Sequence, residues 1–385
     1  MVTLQLEDLS NELIVKVFSY LEIKELIRCG QLSKRIRIIS HDQSLWQKMN
    51  LSCDPWEKCT NKVPAEFLHM VIQNGCKYLS LKSEQIQSTL KLNHISSLVY
   101  LKLATIIPIL PSDVHFNDRL SEELLETGHF LKKLSVEGYI SPEMAKNIGH
   151  QKAKILEVLE LRSCSLVNHK SMKISRYTSD SERKKELNSI ELIVKNCTNL
   201  KEFHLDGTNI SAIAINFLVH NIAPTVEILS FNYIKLVSDK HVNILGSRCK
   251  NLKTLTLAGT SITNESIKII IETMNSTLER LDVAFAYNFD ALKLLELKTM
   301  PKLQTLIGSG LAPVKEQLKE YLPNLVIFEF NDVHGHCEFT HSSAENLSDS
   351  DGIWEIRAKQ LDLFKKSAIN VPTKKFTFLK KNKKK

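Results

Sequence analysis

Glycine and proline are scarce in this chain: of 385 residues, 12 are glycine and 10 are proline. No glycine-rich phosphate-binding loop, no G-x-S-x-G turn and no H-E-x-x-H pair occurs. Those motifs are the short signatures of nucleotide-binding proteins, α/β-hydrolases and zinc peptidases. Because the sequence offers no catalytic constellation, we expect a non-catalytic protein without a cofactor.

Long apolar runs and paired cysteines are also missing. No segment approaches the ~18 consecutive apolar residues that a membrane helix needs, and MVTLQLEDLSNEL lacks the basic-then-apolar pattern of a secretion signal. None of the eight cysteines forms a C-x-x-C pair, which disfavours a zinc or disulfide framework. We therefore expect an intracellular protein with reduced cysteines and no membrane partner.

Positive charge is concentrated at one end of the chain. The net charge is +8, but the last twelve residues, KKFTFLKKNKKK, hold seven lysines and no acid. The remainder is close to neutral, so a basic stripe for nucleic acid is not expected. The lysine-rich end is interpreted either as a nuclear localisation signal or as a disordered solubilising tail. We expect a nuclear and cytoplasmic protein.

What the chain does contain is a repeat. An L-x-x-L-x-L pattern recurs at steps of 22 to 26 residues, with first positions at Leu200, Val226, Leu252, Leu278, Leu303 and Leu325. Weaker copies begin at Cys76, Leu98, Leu131 and Leu156. This period is typical of leucine-rich repeats, in which each copy pairs a strand with a helix. The sequence thus predicts an α/β solenoid of about ten repeats over residues 76–330, with parallel strands on the concave face and helices on the convex face.

The spacing breaks once, because Leu156 and Leu200 are 44 residues apart. The excess falls in the polar segment 168–188. We interpret this segment as a surface loop that widens one repeat; a functional contact is the alternative.

Alternate residues of each predicted strand point away from the leucines, and they form the candidate substrate-binding face. Charges of both signs are mixed there, so a purely acidic or purely basic ligand is not favoured. Because binding hot spots are few, most of these side chains are expected to be solvated. The candidates are Lys102, Ser135, Glu137, Glu160, Arg162, His204, Asp206, Asn232, Thr254, Thr256, Arg280 and Asp282.

Residues 4–51 precede the repeats and are predicted to form three short helices. Ser10 or Asn11 can cap the first helix, which carries a broad apolar stripe. The second and third are predicted over residues 24–32 and 42–49, and a helical linker or cap over 52–75. Helices this short bury little among themselves, so another chain is expected to cover part of the stripe.

The same residues resemble an F-box. The motif elements are Leu9-Ser10-Asn11-Glu12-Leu13, Ser19-Tyr20-Leu21, Glu25-Leu26, Lys34-Arg35 and Asp42-Gln43-Ser44-Leu45-Trp46, with Ser10 in place of the usual proline and Ile36 in place of an aromatic residue. The residues implied to bind an adaptor are Leu6, Leu9, Leu13, Ile14, Val17, Phe18, Leu21, Leu26, Leu45 and Trp46.

An F-box followed by leucine-rich repeats resembles the substrate receptors of SCF-type ubiquitin ligases. The resemblance implies a Skp-type adaptor, cullin and RING subunits reached through it, and a protein substrate held on the repeats for ubiquitination and proteasomal degradation. The alternative is a scaffold or inhibitor of the ribonuclease-inhibitor kind, outside the ubiquitin system, whose N-terminal helices only cap the solenoid.

The final repeats and the tail, residues 331–385, resemble the S-phase kinase-associated branch of this family, which receives cell-cycle regulators. The tail match consists of Ile353, Trp354, Ile356 and Arg357. The branch uses Trp, Asp and Arg at strand ends to hold a Cks accessory subunit and a phosphorylated substrate. This chain has Gly207, Gly259 and Phe285 at those places, so weak or absent Cks binding is expected.

One cluster after the last repeat contains metal-ligand residue types: His334, His336, Cys337 and His341. Their spacing matches no tetrahedral zinc module, and no second ligand pair lies elsewhere. We therefore interpret this cluster as a capping loop and expect no metal.

The tail generates a prediction of its own. Burying Ile353, Trp354 and Ile356 would recover ~25 cal/mol per Å² of covered apolar surface, so residues 352–366 are predicted to pack on the inner strands. Like charges repel within residues 374–385, which are predicted to stay disordered. In a hydrogen-exchange measurement, amides of 353–357 should exchange more slowly than those of the lysine-rich end, and equal rates would contradict the prediction.

Overall fold

A computed structural model describes residues 6–21, 23–50, 70–82, 98–104, 130–140, 142–149, 154–165, 180–286, 290–330 and 337–338. Its N-terminal part is helical. A 3₁₀ turn at Leu6–Asp8 precedes α1 (Asn11–Phe18), α2 (Ile23–Cys29), α3 (Lys34–Ser40) and α4 (Gln43–Trp46). Ser10, Ser33 and Asp42 cap α1, α3 and α4 by accepting backbone N–H bonds.

This arrangement differs from the sequence expectation in two ways. Helix α3 is additional, because Ser33 supplies a cap and Ile36 and Ile39 supply a buried side. The helix predicted over residues 42–49 ends at Trp46, because residues 48–50 form a strand that joins the sheet.

The strands of the described residues form one sheet in which spatial order equals chain order. Strands β1 to β11 pair in parallel, and β12 runs antiparallel to β11. The predicted α/β class with a parallel sheet is confirmed. The strands are β1 (Lys48–Asn50), β2 (Tyr78–Lys82), β3 (Tyr100–Ala104), β4 (Lys133–Tyr139), β5 (Val158–Ser165), β6 (Glu202–His204), β7 (Ile228–Ser230), β8 (Thr254–Thr256), β9 (Arg280–Asp282), β10 (Thr305–Ser309), β11 (Val326–Phe330) and β12 (Cys337–Glu338).

From β4 onward, a helix lies between each strand and the next parallel strand. In chain order these are α5 (Pro142–Asn147), α6 (Asp180–Asn196), α7 (Ala212–Asn221), α8 (Asp239–Arg248), α9 (Asn264–Met274), a 3₁₀ helix (Ala291–Thr299) and α10 (Lys315–Tyr321). Helix α6 corrects one expectation, since residues 180–188 of the predicted loop are helical. Ile190, Ile193 and Val194 are buried. Ile193 and Val194 come three and four residues after Ile190, so the three lie on one face of α6 and pack the second half of the helix against the core. The polar first half continues the same helix.

The core is built from ladders of apolar residues that face one another across the parallel strands. In one ladder Leu159, Phe203, Leu229, Leu255 and Leu281 are paired in register, and each is fully buried. The same apolar cluster continues into the N-terminal helices through Ile14, Phe18 and Trp46. The helical part and the sheet therefore share one core.

Burial also accounts for the cysteines of the repeats. Cys164, Cys197 and Cys249 are buried and free of disulfides. Loss of hydration raises the pKa of Cys249 to about 11 and that of Cys197 to about 12, so these thiols stay protonated at neutral pH. Across the described ranges, no helix has the length and apolar character required to cross a membrane.

A left-handed backbone conformation recurs at one position of the repeat. Gly207, Tyr233, Gly259 and Phe285 are 26 residues apart and have φ values of 65°, 63°, 65° and 58°. Glycine adopts this conformation without strain, whereas a residue with a side chain does not. At Gly259 space is also limited, because an added Cβ would lie 2.7 Å from Cδ1 of Tyr233.

Gly259→Ala should therefore destabilise the fold through both effects. The left-handed backbone alone costs about 1–2 kcal/mol, and overlap with the Tyr233 ring adds to it. Gly310→Ala is the matched control, because Gly310 has the same φ of 65° and no atom within 4 Å of an added Cβ. Denaturant unfolding should show a larger loss of unfolding free energy for Gly259→Ala; equal losses would mean that the Tyr233 contact is unimportant.

Candidate functional site

Two surfaces carry the residues singled out by the sequence: helix α1 and the polar side of the parallel sheet. Helix α1 has one buried side, with Ile14 at 0% and Phe18 at 2% exposure, and one exposed apolar side, with Leu13 at 51% and Val17 at 44%. Leu13 and Val17 are four residues apart and hence lie on the same face of the helix. An apolar pair left in water on a helix whose other apolar residues are buried or half-buried is typical of a protein-binding surface.

Hydrogen bonds from α3 hold the start of this helix in place, and α4 is bonded in turn to α3. Arg35 Nη2 donates to the Leu9 carbonyl at 2.6 Å, and its Nε donates to Asn11 Oδ1 at 3.1 Å. The buried Trp46 indole donates to the Ser40 carbonyl at 2.6 Å. The F-box-like elements at positions 35 and 46 thus fix the start of α1 and close the helical cluster.

The remaining predicted adaptor-binding residues lie inside this cluster or at its margin. Leu26 and Trp46 are buried, and the half-buried Leu6, Leu9, Leu21 and Leu45 pack against the core. The structure adds exposed apolar side chains that the sequence reasoning did not select, namely Tyr20, Leu32 and Ile38. Ile38 could have been found from α3, where Ile36 and Ile39 take the buried side and leave Ile38 on the opposite one.

On the sheet, parallel pairing lines up the candidate substrate-binding residues in rows. The central row contains, strand by strand, Lys102, Ser135, Glu160, His204, Ser230, Thr256 and Asp282. Ser230 was missed by the sequence reasoning, although the 26-residue step from His204 to Ser230 to Thr256 identifies it. A second row has Glu137 paired with Arg162, continued by Asp206 and Asn232 two residues beyond His204 and Ser230. We call the residues of these two rows the polar face. Thr254 pairs with Arg280 in a further row, and both are half-buried.

The expectation that these side chains are solvated is wrong for half of them. Lys102, Glu137, Arg162 and Asp206 are partly exposed, but the middle of the face is closed. Adjacent strands lie only ~4.8 Å apart, so side chains at one register position shield one another from water. The buried members are Ser135, Glu160, His204, Asn232, Thr256 and Asp282.

Glu160 is the centre of a buried charge cluster on the polar face. Its carboxylate accepts a bond from Ser135 Oγ at 3.0 Å and lies 2.8 Å from Lys133 Nζ and 3.4 Å from Arg162 Nε. The side chain is 4% exposed. Burying a carboxylate so fully is favourable only where cations and hydrogen bonds compensate its lost hydration.

Next to this cluster, a chain of hydrogen bonds crosses three strands. Asp206 Oδ1 accepts from Ser230 Oγ and from the Asn232 amide at 3.1 Å. Ser230 Oγ also contacts Thr256 Oγ1, and Asn232 Oδ1 accepts from the Ala258 amide at 2.9 Å. These bonds fix the rotamers of Ser230, Asn232 and Thr256 without help from a ligand.

The polar face gives way to an apolar patch at β10 and β11. Asp282 is followed in register by Ile307 and then Phe328. Ile307 packs with Ala258 and Ala284, and Phe285 and Phe328 pack against them, in a cluster separate from the main core.

Several predicted features fall outside the described residues. They are the tail residues Ile353, Trp354, Ile356 and Arg357, the cluster of His334, His336 and His341, most of the helical linker predicted over residues 52–75, and residues 168–179 of the predicted loop. Within the described ranges, no group of three or more His, Cys, Asp or Glu side chains is placed to hold a metal ion. The prediction of no metal at the histidine cluster stays a prediction.

Comparison with known proteins supports the interpretation of the N-terminal helices. Residues 6–52 match the family model described as F-box-like. The chain is also 25% identical over 134 residues to F-box/LRR-repeat protein 17 of Arabidopsis thaliana, an alignment covering 33% of this chain and 21% of that relative. The chain therefore spans about a fifth of the length of the curated relative that it matches. The predicted F-box-like domain is confirmed, and the closer likeness to the S-phase kinase-associated branch stays a prediction.

The buried charge cluster generates a stability prediction. Glu160→Gln leaves Lys133 and Arg162 without their shared counter-charge, which should cost about 2–3 kcal/mol. Glu157→Gln is the matched control, since Glu157 also bridges two cations, Lys132 and Lys201, but is more exposed, and its loss should cost under about 1 kcal/mol. Chemical denaturation measures both; equal effects would show that burial does not distinguish the two clusters.

Proposed function

We propose that this protein is a non-catalytic substrate receptor of an SCF-type ubiquitin ligase. In this proposal the F-box-like domain binds a Skp-type adaptor, which links the chain to cullin and RING subunits. The parallel sheet is a leucine-rich-repeat solenoid whose polar face binds a protein substrate. The observation that carries the proposal is the exposed apolar pair of α1, Leu13 and Val17, within residues that match an F-box-like domain.

The adaptor contact is assigned to Leu13 and Val17 because the neighbouring apolar residues of α1 already pack inside the protein. Ile14 and Phe18 are buried in the core of the domain and are not available to a partner. Covering the two exposed side chains would remove apolar surface from water at ~25 cal/mol per Å². The bonds from Arg35 to Leu9 and Asn11 hold α1 in position before any partner binds, which lowers the ordering cost of association.

The substrate is assigned to the polar face because side chains from many strands converge there. A surface that combines charges of both signs, hydroxyl groups and an adjoining apolar patch suits a folded or extended protein partner. The receptor would raise the rate of ubiquitin transfer by proximity, since a bound target meets the ubiquitin carrier at high effective concentration. No side chain of this protein needs to take part in the chemistry.

Replacing Leu13 and Val17 together by Asp should weaken adaptor binding without unfolding the chain. Two carboxylates would have to be desolvated at the contact, so affinity for a purified Skp-type adaptor should fall at least tenfold. The measurement is isothermal calorimetry or a pull-down with full-length protein, together with a thermal unfolding curve of the variant.

The matched control is Ile213→Asp with Leu236→Asp, because these exposed apolar residues, at 56% and 47% exposure, lie away from α1. The control should retain adaptor binding. If the wild-type chain forms no complex with the adaptor, the ligase proposal fails and a repeat scaffold outside the ubiquitin system is the better description. If both double variants bind the adaptor equally well, the contact is not made by Leu13 and Val17.

A further inference from the structure

The polar face contains buried hydrogen-bonding atoms that no described residue satisfies. They are Nε and Nη2 of Arg162, both ring nitrogens of His204 and Oδ2 of Asp206. His204 is only 5% exposed, and its Nε2 lies 3.6 Å from Glu202 Oε2, which is too far for a hydrogen bond. Buried polar atoms are normally paired, so a cluster of unpaired ones requires an explanation.

These atoms lie together because of the strand register. Glu160 pairs with His204, and Arg162 and Asp206 are each two residues farther along their own segments. Arg162 shares a face with Glu160 because residues two apart in a strand do so. Asp206, just beyond β6, accepts a hydrogen bond from Ser230, the register neighbour of His204, so all four side chains belong to one patch. Elsewhere on the polar face, Ser135, Ser230 and Asn232 have hydrogen-bond partners within the protein. Among the described residues, the unpaired buried side-chain atoms are thus confined to this patch.

The unpaired donor and acceptor atoms determine which chemical group could bind to them. Arg162 offers the Nη2 donor, since its Nε faces Glu160 Oε2 at 3.4 Å, Asp206 offers one carboxylate acceptor, and His204 offers its two ring nitrogens. A fitting ligand group must accept a bond from Arg162 and donate one to Asp206. A carboxamide does both, with its oxygen and its NH₂ group held in one plane.

The charges around these atoms disfavour both anionic and cationic ligand groups. Lys133 and Arg162 are balanced by Glu160 and Asp206, and Glu202 adds a negative charge beside His204. A phosphate or carboxylate would meet Asp206 and Glu202, and an ammonium group would meet Arg162. A neutral group that is both donor and acceptor is the one that suffers neither repulsion. A trans peptide group carries its C=O and N–H on opposite sides, whereas a primary carboxamide presents its oxygen and its NH₂ group together at the end of a side chain.

We infer that Arg162, His204 and Asp206 form a recognition pocket for an asparagine or glutamine side chain of a protein ligand. This rests on the proposed function, since it names the class of substrate segment that the polar face selects. Arg162 donates to the amide oxygen, Asp206 Oδ2 accepts from the amide nitrogen, and His204 closes the pocket.

The test uses a phage-displayed library of random dodecapeptides, selected on the full-length protein. Enriched peptides should share Asn or Gln at one position. A synthetic peptide of the enriched sequence should lose at least tenfold in affinity when that residue becomes Asp, Glu or Leu, because a site built for hydrogen bonds discriminates strongly against analogues that lack them.

Two protein variants tie this selectivity to the pocket. Asp206→Asn keeps Oδ1 for Ser230 and Asn232 but replaces the open acceptor by a donor, and Arg162→Lys keeps the charge but loses the planar guanidinium. Each should weaken the peptide at least tenfold. The matched control is Asp290→Asn, which lies outside the polar face at the start of the 3₁₀ helix and keeps the oxygen that accepts from the Leu292 amide; it should leave peptide affinity unchanged. Thermal unfolding checks that each variant is folded.

Several outcomes would overturn the inference. Enrichment of phosphomimetic, acidic or basic peptides, peptides without a fixed Asn or Gln, and no enrichment at all each contradict it, the last meaning that the pocket holds ordered water only. The adaptor measurement is separate: adaptor binding without carboxamide selection contradicts this inference alone, whereas carboxamide selection without adaptor binding contradicts the ligase proposal alone.

Discussion

The constraint on which this structure depends is the in-register parallel pairing of very short strands. A 26-residue step places equivalent side chains of successive units side by side, as with His204, Ser230, Thr256 and Asp282. The leucine ladder then forms a continuous core on one face, because no single unit could bury its own apolar residues. The opposite face inherits the same register, so polar side chains also stand next to one another at the strand spacing. Their burial is thus a consequence of the repeat.

This constraint explains both the success and the failure of prediction from the sequence. The leucine positions were predictable because their period is visible along the chain, and α1 was predictable from its cap and apolar stripe. The burial of Glu160 was not, because it depends on Lys133, Ser135 and Arg162 on the same and the neighbouring strand. Similarly, α3 was missed because KRIRIIS looks polar until Ile36 and Ile39 are known to face a common core.

The backbone follows the repeat as well, since the residue three positions after each of β6 to β9 has a left-handed conformation. Glycine fits there in two of four units, but Tyr233 and Phe285 adopt the conformation as well. Strained residues persist only where the surrounding structure enforces them. Here the backbone is fixed by ladder-like bonds, from the Gly207 amide to the Asn232 carbonyl and from the Tyr233 amide to the Ala258 carbonyl. The repeat therefore tolerates large aromatic side chains beside the polar face, and Phe285 contributes directly to the apolar patch.

The two proposed binding surfaces are connected by structure that both share. The backbone carbonyl of Gln47, one residue after α4, accepts hydrogen bonds from the backbone amides of Lys77 and Tyr78, both at 3.0 Å. In addition, β1 pairs with β2. One apolar cluster runs from Ile14 to Ile327. Covalent linkage alone would leave the domains free to rotate, whereas a common core and sheet fix the direction in which a bound substrate faces. For a receptor that acts by proximity, that fixed geometry determines the effective concentration of substrate at the ubiquitin carrier. Cutting the bonds around Gln47 should thus impair the proposed activity even where both binding surfaces stay intact.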